Sequence, residues 1–435
     1  MGSTADQVLV VADDLTGAAE SGAAFLPRAV RIETLAGVRD SREVRELREV
    51  VVVDTDSRYL SVREAARRCR AALSRGADGA TVVKKIDSTL RGPLAAEVAE
   101  LAAGGAPVLV ATASPALGRT VLGGVVHVHG VPLARSGIWA AESRPAPESV
   151  AAALAPVRCA PVELPAVRGA ADALTERLRA VLADGAVPVC DAESADDLDR
   201  IVHAGRATGR PVRWVGSAGL AYALARALPP AGASAGAGSS AVPEQGADGP
   251  VLFVVGSAAA VAREQVARLG DVVDAVVDLD LGPDLDLGLD PDLDPSAEPG
   301  KAAARLAGRP GVLRLPELAR GREGGGTRSP AAAAALARTA AAVAATHGAL
   351  VLTGGETARA VLTELGVAEL RVVAAWQDGA VVSRTPDGRT VVTKPGAFGG
   401  PDALLRIARR LGVDPQHPQH PQQPQHPQQQ PQEER

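Results

Sequence analysis

The chain has 435 residues, a formal net charge of −5 and aromatic side chains at only 2% of positions, so its core must come from Val, Leu, Ala and Ile. That length is enough for two or three domains, the absence of a basic stripe argues against nucleic-acid binding, and no apolar run approaches the roughly 20 residues of a membrane-spanning helix. The N-terminus has no signal-peptide pattern and the three cysteines suit neither a disulfide framework nor a zinc site, which favours a cytoplasmic protein.

The first predicted elements lie in "VLVVADDLTGAAESGAAF", residues 8–25, which indicates a strand, a turn and a helix. One of Asp13, Asp14 or Thr16 is expected to cap the helix, because a short oxygen-bearing side chain satisfies its free N–H groups. A cap explains only one of the two aspartates. Ligands bind at the carboxyl ends of strands in open α/β sheets, so the other aspartate is a candidate for binding or proton transfer.

Polar stretches also follow later strands of the first half. "DTDSRYL" comes after the strand at 50–53, and "VVKKIDSTLRGPLAAE" begins within the strand at 81–84. Arg can grip a carboxylate or phosphate with two hydrogen bonds and Lys supplies a point charge, which suits an acidic ligand; a solvated loop with a capping Asp is the alternative. A glycine-rich loop at 114–133 adds one more arginine and two histidines at strand spacing, without a third metal ligand. The candidate substrate ligands are Ser57, Arg58, Lys84, Asp87, Ser88, Arg91 and Arg119.

Alternating strand and helix patterns predict mostly parallel sheets with helices on both faces. In the first half, strands are predicted at 8–11, 50–53, 81–84, 108–111, 187–190 and 212–215, and helices at 62–75, 170–182 and 220–228. In the second half, strands are predicted at 251–255, 312–315, 349–352 and 391–393, and helices at 259–269, 330–346, 358–365 and 403–411. We therefore expect an α/β protein of two domains, each a mostly parallel sheet flanked by helices, joined by a flexible linker.

Three segments of biased composition interrupt this pattern. Residues 229–250 are rich in Gly, Ala, Ser and Pro, which predicts a flexible linker and the domain boundary. Residues 278–295 repeat Asp-Leu without the spacing of a calcium-binding loop, which favours an expanded surface loop. The Pro/Gln/His tract at 413–435 is expected to be disordered.

Three strand-to-helix turns of the second half are marked by glycine. They lie around residues 256–257, 354–357 and 396–400. Glycine lets the backbone approach a phosphate, and the following helix N-terminus offers N–H donors and a partial positive charge. Neither a P-loop nor the G-x-G-x-x-G pattern is present, which counts against a familiar NTPase and a nicotinamide dehydrogenase.

Taken together, the motifs resemble those of the four-carbon acid sugar kinase family, once described as a domain-of-unknown-function family. The matching stretches are "ADDLTGA", "DSR", "KKIDSTLRG", "GRT…GG…GVPL", "VGSAGLA", "VVGSAA", "TGGETA" and "TKPGAFGG", in the family's order over residues 8–412. The resemblance implies a sugar-acid-binding domain at 1–228, the linker at 229–250, a nucleotide-binding domain at 251–412 and a tail at 413–435. It also implies an enzyme of the phosphotransferase class with an alcohol acceptor, ATP and Mg²⁺ as cofactors, and a homodimer.

The resemblance assigns roles to residues of both halves. Asp13 or Asp14 would orient the substrate hydroxyl or act as base, while the other caps the helix or reaches Mg²⁺ through water; the Mg²⁺ ligands stay open. Glu356 would bond a ribose hydroxyl or a magnesium-bound water, and a first-turn Glu favoured by the helix dipole is the alternative. The expected nucleotide-binding residues are Ser257, Gly354, Gly355, Glu356, Thr357, Gly396 and Gly399.

The predicted reaction is transfer of the ATP γ-phosphoryl group to the terminal hydroxyl of a tetronate, with D-threonate or erythronate favoured. The alternatives are a 3-oxo-tetronate 4-kinase and a non-catalytic protein that binds a sugar acid or nucleotide on the same scaffold. A nicotinamide-dependent oxidoreductase is disfavoured, since its dinucleotide fingerprint is missing. Neither nucleic acid nor a membrane is expected as a partner.

Overall fold

The computed structural model describes residues 7–34, 50–76, 79–140, 142–229, 249–257, 259–279, 298–316, 330–396 and 398–413. The linker at 230–248, most of the Asp-Leu repeat and the tail from 414 lie outside these ranges. The described residues form alternating strands and helices, which confirms the α/β class predicted from the sequence.

Runs of β-branched residues form the strands, and several of them are buried on both faces, as in a sheet covered by helices on each side. Within the described ranges the strands are β1 (Val8–Ala12), β2 (Val30–Thr34), β3 (Val50–Asp54), β4 (Thr81–Lys85), β5 (Val108–Ala111), β6 (Arg119–Leu122), β7 (Val125–Val128), β8 (Val131–Pro132), β9 (Cys159–Val162), β10 (Val187–Cys190), β11 (Arg213–Gly216), β12 (Val251–Val255), β13 (Ala275–Asp278), β14 (Gly311–Arg314), β15 (Ala349–Thr353), β16 (Glu369–Ala375), β17 (Val381–Arg384) and β18 (Thr390–Lys394).

Ala-rich and Leu-rich segments form the helices between the strands. Over the same ranges they are α1 (Leu15–Ala23), α2 (Val62–Leu73), α3 (Leu94–Ala102), α4 (Val150–Leu154), α5 (Leu164–Val167), α6 (Ala171–Ala183), α7 (Ala195–Ala207), α8 (Ala218–Ala227), α9 (Ala260–Leu269), α10 (Glu298–Leu306), α11 (Pro330–Ala344), α12 (Gly355–Glu364) and α13 (Ala403–Arg410). None of the helices in the described part of the chain has the length and apolar character needed to cross a bilayer.

One mixed sheet runs through both halves of the described chain. Its strand order is β13-β14-β12-β15-β18-β17-β16-β2-β3-β1-β4-β11-β5-β10-β9. The pairings are parallel except β18 with β17, β17 with β16 and β16 with β2, which are antiparallel. A small second sheet of β6, β7 and β8 lies outside it and carries Arg119 at its first residue.

The expectation of a separate sheet in each domain is therefore corrected: strand β16 of the second half pairs with β2 of the first. Leu370 lies opposite Ile32, both are buried, and the backbone N–H of Thr34 donates to Ala368 at 2.9 Å. A β-strand at the edge of a sheet leaves a row of N–H and C=O groups unpaired, and this pairing satisfies the edge of each half. The two halves thus share one sheet and one large apolar cluster, and a second apolar cluster lies within the second half.

The sheet also curls around helix α1. Strands β1 and β15 are six places apart in the order, which in a flat sheet would separate them by about 29 Å. Yet α1, which follows β1, contacts both α12, which follows β15, and β16 to β18. The carboxyl ends of β1 and β15 are consequently brought together on one side of the molecule.

Candidate functional site

The two aspartates at the end of β1 occupy different environments. Asp14 caps α1, accepting a hydrogen bond from the N–H of Gly17 at 3.0 Å and from the hydroxyl of Thr16 at 2.7 Å. Asp13 is 1% exposed, and its Oδ1 accepts no hydrogen bond from the described residues. The cap predicted at this turn is Asp14, which leaves Asp13 without a capping role.

Arg58 joins the two carboxylates. Its Nε donates to Oδ2 of Asp13 at 2.7 Å, and its terminal nitrogens lie 2.8 and 3.2 Å from the oxygens of Asp14. Burial would raise the pKa of Asp14, but Arg58 and Lys85 outweigh burial and lower it. Asp14 is therefore ionised at neutral pH, and Arg58 is already matched by two carboxylates.

Arg91 is matched in the same way by Asp87. Its Nε and one terminal nitrogen donate to the two carboxylate oxygens at 2.8 and 2.9 Å, while Thr89 also donates to this carboxylate. Burial raises the pKa of Asp87, but Arg58 and Arg91 hold it well below its usual value. Ser88 lies buried in the same turn. The structure thus brings the "DSR" and "KKIDSTLRG" stretches together around one network of charges.

The neighbouring lysines of β4 point to opposite faces of the sheet. Lys84 is fully buried, with its amine 3.0 Å from Oε1 of Glu97 on α3. Ser57 is buried in the same cluster, and its hydroxyl donates to Glu97 at 2.5 Å. Lys85 points to the α1 side, where its amine lies 3.9 Å from Oδ1 of Asp13. Direct contact of Ser57 or Lys84 with a substrate stays a prediction, and both lie behind the carboxylates.

The glycine turns of the second half converge. A Cβ added to Gly256 would lie 2.1 Å from Oγ1 of Thr357, and one added to Gly396 would lie 2.6 Å from Oγ of Ser257. Gly354 has φ of +91°, a conformation that favours glycine, and its N–H donates to the carbonyl of Lys394 at 2.8 Å. The three predicted nucleotide-binding turns therefore form one surface at the N-terminus of α12.

Buried Gln265 of α9 fixes the last of these turns. Its amide nitrogen lies 3.0 to 3.2 Å from the carbonyl oxygens of Phe398, Gly399 and Gly400. Gly399 has φ of +81°, and a Cβ there would lie 2.7 Å from Cβ of Asp378. This turn requires glycine both for its backbone conformation and for its close packing.

Three contacts among the described residues illustrate how the two halves of the candidate site meet. A Cβ added to Gly355 would lie 2.7 Å from Oδ2 of Asp14, and Arg359 of α12 forms a buried ion pair with Asp54 at the end of β3. The third contact is a stack of the Arg119 guanidinium on the Phe398 ring, 5.4 Å from its centroid. The acidic strand ends thus face the glycine turns.

Arg119 differs from the other arginines of the site. Burial lowers its pKa, no carboxylate pairs with it within the described residues, and its Nε is buried without a hydrogen bond. An arginine in this state suits an anionic ligand.

The site also offers oxygen ligands for a cation, although the described residues include no preassembled group of three or more metal-binding side chains. Asp14 lies next to Gly355. Burial raises the pKa of Asp56, and the nearby carboxylate of Glu356 also acts to raise it. Carboxylates that converge beside a phosphate-binding turn suit Mg²⁺, which usually takes one or two carboxylates together with phosphates and water.

Comparisons with known proteins agree with this two-part site. A family model described as "Sugar-binding N-terminal domain" matches residues 8–224, and one described as "Nucleotide-binding C-terminal domain" matches residues 252–404. The chain belongs to the four-carbon acid sugar kinase family. This kinase is thus a phosphotransferase with an alcohol acceptor, as its relatives are.

Several relatives of the kinase match over nearly their whole length. A D-threonate kinase of Cupriavidus necator is 35% identical over 91% of this chain and 96% of that protein, and one of Bordetella bronchiseptica is 33% identical over 92% and 96%. A 3-oxo-tetronate kinase of Methylobacterium radiotolerans is 28% identical over 91% and 97%. The crystal structure of a Salmonella typhimurium protein has the same fold, with a TM-score of 0.74 at 21% identity over 93% of this chain and 99% of that one.

Three polar residues of the candidate site were not predicted from the sequence, namely Lys85, Glu20 and Gln265. For Lys85, strand alternation could have shown that it faces the side of β4 opposite to Lys84. Helical spacing of three residues from Gly17 could have placed Glu20 on the same face of α1, where burial raises its pKa beside Lys85 and Asp14. The role of Gln265 had no local signal, because it depends on contacts more than 130 residues away in the chain.

Proposed function

We propose that the protein is an ATP-dependent kinase that phosphorylates the terminal hydroxyl of a four-carbon sugar acid, with D-threonate or erythronate as acceptor. One observation carries the proposal: Asp14, at the end of β1, lies against Gly355 at the first turn of α12. A hydroxyl bound at the aspartates would be next to a phosphate bound at the glycine turns. Phosphoryl transfer depends mainly on such positioning and on neutralising charge.

Asp13 is the proposed partner of the acceptor hydroxyl. Asp14 is engaged as the cap of α1, whereas Oδ1 of Asp13 has no hydrogen bond from the described residues. Arg58 orients Asp13 through its Nε, with the donor and acceptor 2.7 Å apart. Asp13 would accept the proton of the attacking hydroxyl, as general acid–base catalysis requires.

Arg119 is the proposed ligand of the substrate carboxylate. Arg58 and Arg91 are committed to aspartates, so we assign them to orienting those carboxylates. Arg119 has an unpaired, buried Nε, and it extends from the small sheet towards the second half. Asp87 lies 4.0 Å from Arg58, Ser88 is buried beside it in the same turn, and both would complete the sugar-acid side.

The nucleotide is proposed to bind at the three convergent glycine turns. Gly354, Gly355 and Thr357 belong to the first turn of α12 and its entry, and Ser257 and Gly396 flank them. The N-terminus of a helix favours negative charge, which suits the phosphates. Mg²⁺, held there by Asp14 or Glu356, would neutralise phosphate charge.

The acceptor is the open part of this proposal. Three of the similar proteins are D-threonate kinases, which supports a tetronate such as D-threonate, and erythronate differs from it at one stereocentre. A 3-oxo-tetronate is the alternative, because a kinase of that class is also similar over 91% of this chain. The chain belongs to a family of sugar-acid kinases, so the non-catalytic alternative is set aside. Homodimer formation and a cytoplasmic location stay predictions.

The experiment is incubation of the protein with ATP, Mg²⁺ and a panel of D-threonate, L-threonate, D-erythronate and the corresponding 3-oxo acids. Formation of ADP and of a phosphorylated acid in equal amounts is the expected result, highest with D-threonate or erythronate. Preference for a 3-oxo acid would assign the alternative acceptor. Binding of acid and ATP without product would contradict the kinase proposal.

A further inference from the structure

Lys85 is a buried cation whose amine donates no hydrogen bond to another described residue. Its side chain is 7% exposed, and the closest carboxylate oxygen, Oδ1 of Asp13, is 3.9 Å from its amine. That distance exceeds a hydrogen bond. Lys84, one residue earlier, is by contrast paired with Glu97 at 3.0 Å.

The Lys85 amine lies over the first turn of α1. A Cβ added to Gly17 would be 2.5 Å from Nζ of Lys85 and 2.5 Å from Oδ1 of Asp14. The N-terminus of a helix carries a partial positive charge, so an ammonium group there is unfavourable unless an anion joins it. Asp14 is one such anion, and the three N–H groups of the Lys85 ammonium can also donate to a further anion.

This place adjoins the nucleotide side of the site. One oxygen of Asp14 faces Gly17 and the Lys85 amine, and its other oxygen faces Gly355 of α12. Only the carboxylate of Asp14 would thus separate an anion bound to Lys85 from the first turn of α12. Arg119, the proposed ligand of the sugar-acid carboxylate, stacks instead on Phe398.

We propose that Lys85 is a catalytic residue that binds the phosphoryl group while it is transferred, an inference that rests on the proposed kinase function. The acceptor hydroxyl oxygen forms a bond to the γ-phosphorus, the bond from that phosphorus to the β,γ-bridging oxygen breaks, and ADP leaves. The hydroxyl proton passes to Asp13. Lys85 keeps its protons and neutralises negative charge on the oxygens of the transferred phosphoryl group. This stabilisation is strongest at the transition state.

The kinetic test compares Lys85→Met with Lys85→Arg and with Lys301→Met, an exposed lysine on α10. Loss of one charge at the transition state is expected to lower kcat by about 100-fold or more in Lys85→Met. The KM for the sugar acid should stay within about threefold, because the acid is held elsewhere. Lys85→Arg should recover part of the lost kcat, and Lys301→Met should match the wild type.

Equal kcat in Lys85→Met and the wild type would overturn the inference, and so would a rise in the KM for the sugar acid with kcat unchanged. The second result would mean that Lys85 holds the carboxylate of the acid. Thermal unfolding of each variant checks that it is folded, and Lys85→Gln replaces Lys85→Met if the latter does not fold.

A binding test separates this inference from the proposed function. Inorganic phosphate is expected to raise the midpoint of thermal unfolding of the wild type and of Lys301→Met by more than that of Lys85→Met, in which only the glycine turns can still bind phosphate. This holds whether or not any tetronate is phosphorylated. Absence of a phosphate effect on the wild type, or an equal effect on Lys85→Met, would show that Lys85 does not bind an anion.

Discussion

At the scale of single residues, the pair Asp13 and Asp14 illustrates how one local sequence serves two purposes. Asp14 is engaged by backbone and hydroxyl donors of α1, while Asp13 keeps one oxygen without a donor. The sequence predicted that Asp13, Asp14 or Thr16 would cap the helix but could not say which. The choice depends on side-chain geometry after the turn has formed.

Separate substitutions of the two aspartates by Asn test this division. Asn caps a helix about as well as Asp, so Asp14→Asn should retain α1. It loses the ionic contact with Arg58, so the free energy of unfolding should fall by about 1.5 to 3 kcal/mol. Asp13→Asn removes the proposed proton acceptor and should lower kcat by about 10² to 10⁴-fold. Steady-state kinetics with saturating ATP, together with thermal unfolding, measure both effects. Near-normal turnover in both variants would make the aspartates structural.

Arg119 of the first half stacks on Phe398 of the second half, so substitutions at both residues should weaken binding of the sugar acid. Arg119→Lys keeps the charge but loses the planar group, so the KM for the sugar acid should rise by about tenfold with little change in the KM for ATP. Phe398→Leu should act in the same direction but more weakly, since a cation–π contact contributes about 0.5 to 2 kcal/mol.

The double variant is the control for that prediction. If Phe398 acts by holding Arg119, the combined loss in binding of the sugar acid is smaller than the sum of the two single losses. Additive losses, or an equal loss of ATP binding in Arg119→Lys, would contradict the assignment of Arg119 to the sugar acid.

At the scale of elements, the sequence predicted most strands and helices that bury apolar faces. Helix α2 was expected at 62–75 and runs over Val62–Leu73, and β18 was expected at 391–393 and runs over Thr390–Lys394. Strands β16 and β17 were not predicted, because β16 begins with alternating buried and partly exposed residues and β17 has only two apolar residues. One partner of β16 is β2, in the first half of the chain, and a single-strand pattern carries no record of such a partner.

Gly355, in the first turn of α12, allows a test of the contact between the two halves. Gly355→Ala places a methyl group 2.7 Å from Oδ2 of Asp14, so Asp14 or the turn must shift. We expect a loss of about 1 to 3 kcal/mol in the free energy of unfolding, by overpacking, and a fall in kcat. Denaturant unfolding and steady-state kinetics measure the two effects.

Gly300→Ala on α10 is the matched control, since a Cβ there has nothing within 4 Å. Alanine is favoured over glycine in a helix, so this variant should gain up to about 1 kcal/mol and keep its activity. If Gly355→Ala behaved like Gly300→Ala, the close approach of the two halves would not exist in solution.

At the scale of the whole molecule, the sequence predicted two α/β units but not their fusion into one sheet. Nothing in "VRIET" or "ELRVVAA" marks β2 and β16 as partners, since both are short and half-apolar. The pairing follows from the need of each sheet to cover an open edge. The motifs and the family resemblance predicted candidate residues in both halves, whereas the curvature that brings the halves together could not be predicted.

Arg359 and Asp54 hold the two halves together and predict a pH-dependent stability. Burial raises the pKa of Asp54 to about 6, although Arg359 acts to lower it. The native state therefore keeps the proton to higher pH than the unfolded chain does. Between pH 4 and pH 6 the free energy of unfolding should fall as pH rises, by up to about 3 kcal/mol from this group.

Arg359→Leu removes the opposing cation, so the pKa of Asp54 should rise further and the loss of stability should extend above pH 6. At pH 7.5 the variant should be about 3 to 5 kcal/mol less stable than the wild type, because a buried carboxylate is left unpaired. At pH 5, where Asp54 can hold its proton, the difference should be smaller. Urea unfolding at both pH values measures it, and Asp54→Asn combined with Arg359→Leu should remove the pH dependence. A difference that stays constant from pH 5 to pH 7.5 would mean that Asp54 does not titrate in this range and that the pair does not link stability to pH.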